Sequence, residues 1–153
     1  MKRTPHSFLS VLIASLSLAL IASTGLSGCA SVKTLTGSDQ AAVLAYSEPI
    51  ADNLFQGLNA GDYAAFSRDF DAAMLAGIPA TNFTSSLFPL INGKLGKYIS
   101  RQVVSVTEIG SNLLIIYTAK FEKDNAVTVR FSLEVAAPHH VSGLYFNSPA
   151  LNK

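Results

Sequence analysis

The spacing of apolar residues changes once along the chain, near Gly96, and this change constrains the fold more than any other feature. Before Gly96, apolar residues recur every three or four positions, which is the spacing of one face of an α-helix. After Gly96 they recur at every second position, which is the spacing of a strand with one buried face. A chain of helices followed by strands predicts an α+β domain.

Three helices are predicted before Gly96. The first has Ser38 as its N-cap and contains Pro49, which predicts either a kink or a main body that begins there. Its apolar stripe is Val43, Tyr46, Ile50, Leu54 and Leu58. Gly61 suits the left-handed residue after this helix, and Asp62 suits the cap of the next.

The second predicted helix is DYAAFSRDFDAAML, with Phe66, Phe70 and Leu75 on one side. The third is NFTSSLFPLINGKL, capped by Thr81 or Asn82 and stopped at Gly96. Asn82-Phe83-Thr84 also matches the N-glycosylation sequon. We interpret Asn82 as a helix cap and not as a glycosylation site.

Four strands are predicted after Gly96, joined by short turns into an antiparallel meander. The clearest alternation runs from Val127 to Val135. The polar face of the second and third of these strands consists of Thr118, Lys120, Glu122, Thr128, Arg130, Ser132 and Glu134. The opposite, apolar face needs a cover, and we expect the three preceding helices to pack on it.

The start of the chain has the three parts of a secretory signal. MKRTPH is cationic, residues 8–22 form an uncharged apolar run, and small residues follow. Fifteen helical residues reach roughly 22 Å, which is short of the ~30 Å hydrocarbon core of a bilayer. A cleaved signal is therefore favoured over the alternative, a retained transmembrane anchor.

The residues Leu26-Ser27-Gly28-Cys29 resemble the lipobox of bacterial lipoproteins. The resemblance implies cleavage before Cys29, a diacylglycerol on its thiol and acylation, for instance by palmitate, of its amino group. Cys29 is the single cysteine of the chain, and its alternative role is a small buried hydrophobe. Two or three acyl chains hold a protein stably on a membrane. The expected partner is therefore a bilayer surface of the cell envelope, and Ala30 after the cysteine favours the periplasmic side of an outer membrane.

This interpretation divides the chain into four parts. Residues 1–28 are the removed signal peptide, 29–38 the lipidated cysteine and a tether, 39–148 one domain, and 149–153 a C-terminal tail. Removing residues 1–28 leaves 125 residues, enough for one domain with a core. These 125 residues contain nine basic and ten acidic side chains. This balance gives no electrostatic basis for nucleic-acid binding.

The predicted domain resembles the nuclear-transport-factor-2-like superfamily, whose cone-shaped fold is also called cystatin-like. The likeness rests on LNAGDYAAF between the first two helices, GKLGKY at the exit into the sheet and the meander that follows. It spans about residues 40–147 and, within the superfamily, points to an uncharacterised domain of small bacterial lipoproteins. The superfamily contains isomerases, dehydratases, polyketide cyclases and non-catalytic binding domains, so the resemblance implies a fold and no activity.

Candidate site residues are few. Asp69 is the acid with the least obvious structural role, and enzymes of the cone fold place an aspartate inside the cone. Tyr63, Tyr98, Tyr117 and Tyr145 have the amphipathic side chains that line ligand cavities, although core packing is their more common use. His139-His140 lacks a third metal ligand at a recognisable spacing, so a surface turn is favoured over a metal site.

No motif specifies a catalyst or a cofactor, and we predict neither catalytic residues, metal nor cofactor. The expected function is a non-catalytic envelope lipoprotein that binds a small apolar ligand or docks a partner protein. The alternative is a small cone-fold enzyme of the isomerase, dehydratase or hydrolase kind, with Asp69 as its general base. A third possibility is a homodimer formed through the polar sheet face, whose mixed charges favour a modest interface.

Overall fold

Helices occupy one face of a five-stranded antiparallel sheet in the computed structural model, which describes residues 31–152. The strands are β1 Val32–Leu35, β2 Tyr98–Ile109, β3 Asn112–Phe121, β4 Val127–Glu134 and β5 Val141–Asn147. The helices are α1 Gly37–Ala60, α2 Tyr63–Phe66, α3 Ala72–Gly77, α4 Ala80–Asn82 and α5 Phe88–Lys94. A π-helical turn, Phe83–Leu87, joins α4 to α5, and a 3-10 turn, Pro149–Asn152, follows β5.

The sheet follows the order β1-β2-β3-β4-β5, with each strand antiparallel to its neighbours. The predicted alternation is confirmed in β3 and β4, where odd-numbered residues are buried and even-numbered residues face outward. Tyr117 lies opposite Val129 on the buried face, and Thr118 lies opposite Thr128 on the outer face. The predicted α+β class is therefore correct.

The described part of the sheet has one strand more than the four predicted. Residues 32–35 were expected in a short tether, and they pair with the end of β2, from Val32 beside Ile109 to Leu35 beside Val106. Leu35 is buried, and the twelve-residue β2 offers free backbone groups along this edge. Hydrogen bonding and burial of one leucine thus order a segment whose composition suggested a tether.

The residues predicted as a C-terminal tail pack against the domain. Residues 149–152 form a 3-10 turn, and Ala150 and Leu151 pack against the core. The buried Ser148 hydroxyl donates to Asp124 Oδ2 at 2.5 Å and accepts from the Ala150 amide at 3.0 Å. These contacts hold the predicted tail against the β3–β4 turn.

α1 is continuous from Gly37 to Ala60 and begins before the predicted cap, Ser38. Its apolar stripe is confirmed, with Val43, Leu54 and Leu58 buried. The helix neither begins at Pro49 nor is interrupted there. Proline removes the hydrogen bond to the carbonyl four residues earlier. That carbonyl belongs to Ala45, an exposed residue, so water can replace the lost bond.

The predicted corner between the first two helices is confirmed. Gly61 has a left-handed backbone, with φ of 67°, and Asp62 accepts hydrogen bonds from the amides of Ala64 and Ala65. Gly57 serves a different purpose, because the backbone of Phe66 crosses α1 directly above it. A glycine at this point lets the two helices approach closely.

The second predicted helix is divided into α2 and α3. Between them, Phe70 forms a bridge with Val141, and the carbonyl of Asp69 accepts from the Val141 amide at 2.7 Å. Asp71 then caps α3 by accepting from the amide of Met74. The backbone of residues 69–71 therefore pairs with the start of β5 in place of continuing a helix.

The third predicted helix corresponds to residues 80–94, but it starts after Pro79 and not at a Thr81 or Asn82 cap. Its middle turn is π-helical, with the Phe88 amide bonded to the carbonyl of Phe83. Pro89 follows directly. Its missing amide disturbs the regular α-helical ladder at this point, and π turns commonly accommodate such irregularities.

We predict that Gly57→Ala destabilises the fold. A β-carbon at position 57 would lie 2.3 Å from the Phe66 backbone nitrogen, and the expected loss is about 2 kcal/mol of unfolding free energy. Gly93→Ala is the control, because a β-carbon there meets nothing within 4 Å and should stabilise α5 by about 0.5 kcal/mol. Urea unfolding followed by circular dichroism measures both. Equal stability of the two variants would contradict the close approach of α1 and α2.

Candidate functional site

A buried guanidinium lies at the centre of a polar group between α1 and the sheet. Arg101 Nη2 contacts Glu48 Oε2 at 2.6 Å and Asp52 Oδ1 at 2.8 Å, and Nη1 donates to the Tyr98 hydroxyl at 3.0 Å. The Tyr117 hydroxyl donates to Glu48 Oε1 at 2.8 Å. We call these five residues the Arg101 cluster.

A β-bulge brings Arg101 to the inner face of the sheet. Residues three apart in a regular strand point to opposite faces. The pairing of β2 with β3 shifts between Tyr98 and Ser100, so Ile99 has no partner. The extra residue reverses the alternation, and Tyr98 and Arg101 therefore share one face. A second bulge at Val104 does the same for Val103 and Val106.

α1 supplies the carboxylates. Glu48 and Asp52 are four residues apart, and such residues lie on the same side of a helix. Near the end of α1, the side chain of Asn59 makes two hydrogen bonds with the backbone of Tyr98, at 2.8 and 2.9 Å. This pairing replaces a neighbouring strand at the open edge of β2 and fixes α1 along it.

Three cluster members, Arg101, Tyr117 and Tyr98, have pKa values above their ordinary values, and for Tyr98 the main cause is burial. Burial by itself would lower the pKa of Arg101, but its hydrogen bond with Asp52 and the charge of Glu48 raise that pKa above its ordinary value. Burial, with the charge of Glu48, also raises the pKa of Tyr117 above its ordinary value. Arg101 therefore stays cationic and Tyr117 stays protonated at physiological pH.

Aromatic rings enclose the guanidinium. Its carbon atom lies 5.5 Å from the centre of the Phe55 ring and 5.3 Å from that of Tyr117, which are distances for cation–π attraction. Tyr98 stacks on Phe55 at 4.1 Å. The side chain of Arg101 is only 6% exposed, whereas that of Asp52 is 58% exposed. The cluster is thus closed on the sheet side and open to solvent at Asp52.

Glu48 is poorly suited to acid–base catalysis. Both oxygens of Glu48 accept hydrogen bonds within the protein, and Arg101 neutralises part of the negative charge. A general base needs an oxygen within reach of the proton that it removes from a substrate. The arrangement instead resembles a clamp that joins α1 to β2 and β3.

The structure brings together only two of the five predicted site residues. Asp69 lies beside α1, where both of its oxygens accept from the guanidinium of Arg68 at 2.8 to 3.2 Å. Tyr63 packs near Phe83 and donates to the carbonyl of Ile78. Tyr145 lies on the outer sheet face, 56% exposed and beside Arg130, so it does not line the interior. Of the predicted residues, Tyr98 and Tyr117 lie in the Arg101 cluster.

The histidine pair follows β4 in the connection to β5. His139 has a left-handed backbone, with φ of 64°, and its ring stacks on that of Tyr46 at 3.8 Å. Its Nδ1 atom lies 3.2 Å from the carbonyl of Glu134. Within residues 31–152, no three His, Cys, Asp or Glu side chains are grouped closely enough to hold a metal ion.

Three cavities of the described part lie outside the packed interior. A groove of about 320 Å³ between α3 and the following helical segment is lined by Gly77, Ile78, Asn82, Ser86, Leu87 and Leu90. A depression of about 330 Å³ lies near the β2–β3 turn, beside Ile109 and Leu114. A smaller one of about 190 Å³ lies around Gln102, Thr118 and Lys120. None of the three is lined by Asp69.

The sequence pattern does not identify Arg101, Glu48 and Asp52 as a group. The four-residue spacing of the two acids was a usable signal, since it placed both on one side of the predicted first helix. The position of Arg101 gave no such signal, because regular alternation along β2 does not show a bulge. Comparison with known proteins found no matching family model, curated protein or solved structure.

We predict that Arg101→Met lowers the free energy of unfolding by about 3 kcal/mol, because it leaves Glu48 charged and without its cation. Arg68→Met is the matched control. Arg68 is 56% exposed in its pair with Asp69, and the expected loss there is below about 1 kcal/mol. Chemical denaturation measures both variants. If the two lose the same stability, the cluster does not clamp α1 to the sheet.

Proposed function

We propose that the protein is a lipid-anchored component of the bacterial cell envelope, located at the periplasmic side of the outer membrane in a Gram-negative host. The supporting observation is the sequence of the first 29 residues, a cationic start, an apolar run and Leu26-Ser27-Gly28-Cys29. These residues, and with them the predicted signal peptide and lipidation site, lie outside the part that the structure describes. In residues 31–152, no helix has the length and hydropathy required to cross a membrane.

We further propose that the domain is non-catalytic and binds a small apolar ligand in the groove between α3 and α5. The carrying observation is the groove itself: its volume of about 320 Å³ falls at the lower end of the range for small-molecule sites. Ile78, Leu87 and Leu90 supply apolar surface, and Asn82 and Ser86 supply polar groups. The interior of the fold is filled by aromatic side chains, which favours this groove over a cavity inside the sheet.

The order of elements supports assignment to the cone-shaped fold of the nuclear-transport-factor-2-like superfamily. Helices come before the meander, and α1 lies along the inner face of the sheet through the Arg101 cluster. The enzymatic alternative has less support, because both oxygens of Asp69 are held by Arg68. A homodimer through the outer sheet face, and docking of an envelope protein, stay predictions.

The lipid anchor is tested by metabolic labelling with an alkyne analogue of palmitate. We expect label on the wild-type protein and none on Cys29→Ala, because the chain has no other thiol to receive the diacylglycerol. Cys29→Ala should also lose the shift to the detergent phase in a phase-separation assay. Equal labelling of the two proteins would disprove the lipoprotein assignment.

The groove is tested with the neutral apolar dye N-phenyl-1-naphthylamine. We expect its fluorescence to rise on binding, and Leu90→Asp to abolish this rise by placing a charge on the groove wall. Leu75→Asp is the matched control, since Leu75 is 42% exposed, close to the 44% of Leu90, but does not line the groove. Native mass spectrometry of protein exported to an envelope would then show whether a natural ligand co-purifies. Equal dye binding by both variants would place the ligand elsewhere.

A further inference from the structure

The ordered domain begins very close to the predicted lipid. The Ser31 carbonyl already accepts a hydrogen bond from the Gly110 amide at 3.1 Å, and β1 starts at Val32. Consecutive α-carbons are 3.80 Å apart, so residue 31 lies at most about 8 Å from residue 29. A lipid on Cys29 would therefore hold this end of the sheet at the membrane surface.

Three of the eight large exposed hydrophobic residues of the described part lie at the same end, namely Val32, Ile109 and Val135. Val32 pairs with Ile109, and these residues are 69% and 36% exposed. The amide of Val135 donates to the carbonyl of Ser111, which places the β4–β5 connection beside the β2–β3 turn. That connection starts with Val-Ala-Ala-Pro, residues 135–138, all exposed. We call Val32, Ile109 and residues 135–138 the anchor end.

The opposite end of the sheet has a different character. The β3–β4 turn contains Glu122, Lys123, Asp124 and Asn125, which are charged or polar. Lys123 donates to the carbonyl of Gly93, and Glu122 accepts from the Lys97 amide. An eight-residue strand, β4, separates this turn from the anchor end by about 25 Å. The β3–β4 turn is thus charged or polar, with one large exposed hydrophobic residue, Ile99, near it on β2, whereas the end next to Cys29 has several exposed apolar residues.

We propose that the anchor end lies in the headgroup region of the bilayer, a proposal that rests on the lipidation of Cys29 proposed above. The short connection keeps this end at the surface, and Val32, Ile109 and residues 135–138 supply apolar contact. The charges closest to it are Lys33, paired with Asp39 at 3.0 Å, and the acids Glu108 and Glu134. No excess of basic residues is present among these, so contact depends on apolar burial and not on attraction to anionic lipid.

The orientation has a consequence for the rest of the domain. Arg101 lies eight residues before Ile109 on β2, about 25 Å from the anchor end. The Arg101 cluster and the β3–β4 turn therefore point away from the membrane. The two ends of one sheet would thus have distinct surroundings, lipid at one and the aqueous compartment at the other.

The proposal is tested on the full chain, exported, lipidated and reconstituted in phosphatidylcholine vesicles that contain doxyl-labelled lipid. A single cysteine for an NBD fluorophore is introduced as Ala136→Cys at the anchor end or as Asn125→Cys at the polar end. Both sites are exposed, and lipidation leaves no other free thiol. We expect several-fold stronger quenching and a blue-shifted emission at position 136.

The intact mass of the same samples shows whether Cys29 carries a lipid. This measurement distinguishes failure of the orientation proposal from failure of the lipid-anchor proposal. If Cys29 carries its lipid and the two labels are quenched equally, the orientation is wrong and the lipid anchor stands. If Cys29 carries no lipid, both are wrong. In the labelled Ala136→Cys protein, Val32→Asp should weaken the quenching. Ile99→Asp should not, because Ile99 is exposed but lies at the opposite end of β2 from the anchor end. Equal effects of the two would overturn the apolar contact.

Discussion

The guanidinium of Arg101 joins the helical layer to the sheet, and much of the architecture depends on this contact. It links Glu48 and Asp52 of α1 to β2, a strand that pairs with β3 along its length but with β1 only over residues 106–109. A buried cation is costly unless it is paired, so α1 must lie where its carboxylates reach the sheet. The path of α1 in turn covers the aromatic core, and Asn59 completes the hydrogen bonding of the edge at Tyr98.

The polar interior and the proposed function are therefore separate. The cluster satisfies Glu48 internally and surrounds Arg101 with aromatic rings, an arrangement that stabilises a single position of α1. Chemistry on a substrate would require free groups and space, and the cavities described lie on the outside of the fold. The surfaces of the fold that are available for binding are thus the groove beside Leu90 and the two ends of the sheet.

The edge strand β1 connects these features to the start of the chain. It occupies residues 32–35 of the segment predicted as a tether, because Leu35 is buried and the backbone of β1 pairs with β2. A short connection restricts orientation, whereas a long flexible one would allow the domain to rotate freely. The polarity of the sheet ends, apolar at residues 135–138 and charged at 122–124, agrees with the proposed orientation.

The amino-acid sequence alone determined the fold class, the buried stripe of α1 and the alternation in β3 and β4 through the spacing of apolar residues. It determined the corner at Gly61 through residue type. These features depend on local spacing and on the left-handed backbone that glycine allows. Tertiary structure decided the rest. β1 forms because β2 offers backbone hydrogen-bonding partners that are distant in sequence. Arg101 faces inward because the bulge at Ile99 reverses the alternation of side chains between the two faces of β2. A bulge depends on how two strands pair, so no local pattern in β2 could reveal the cluster.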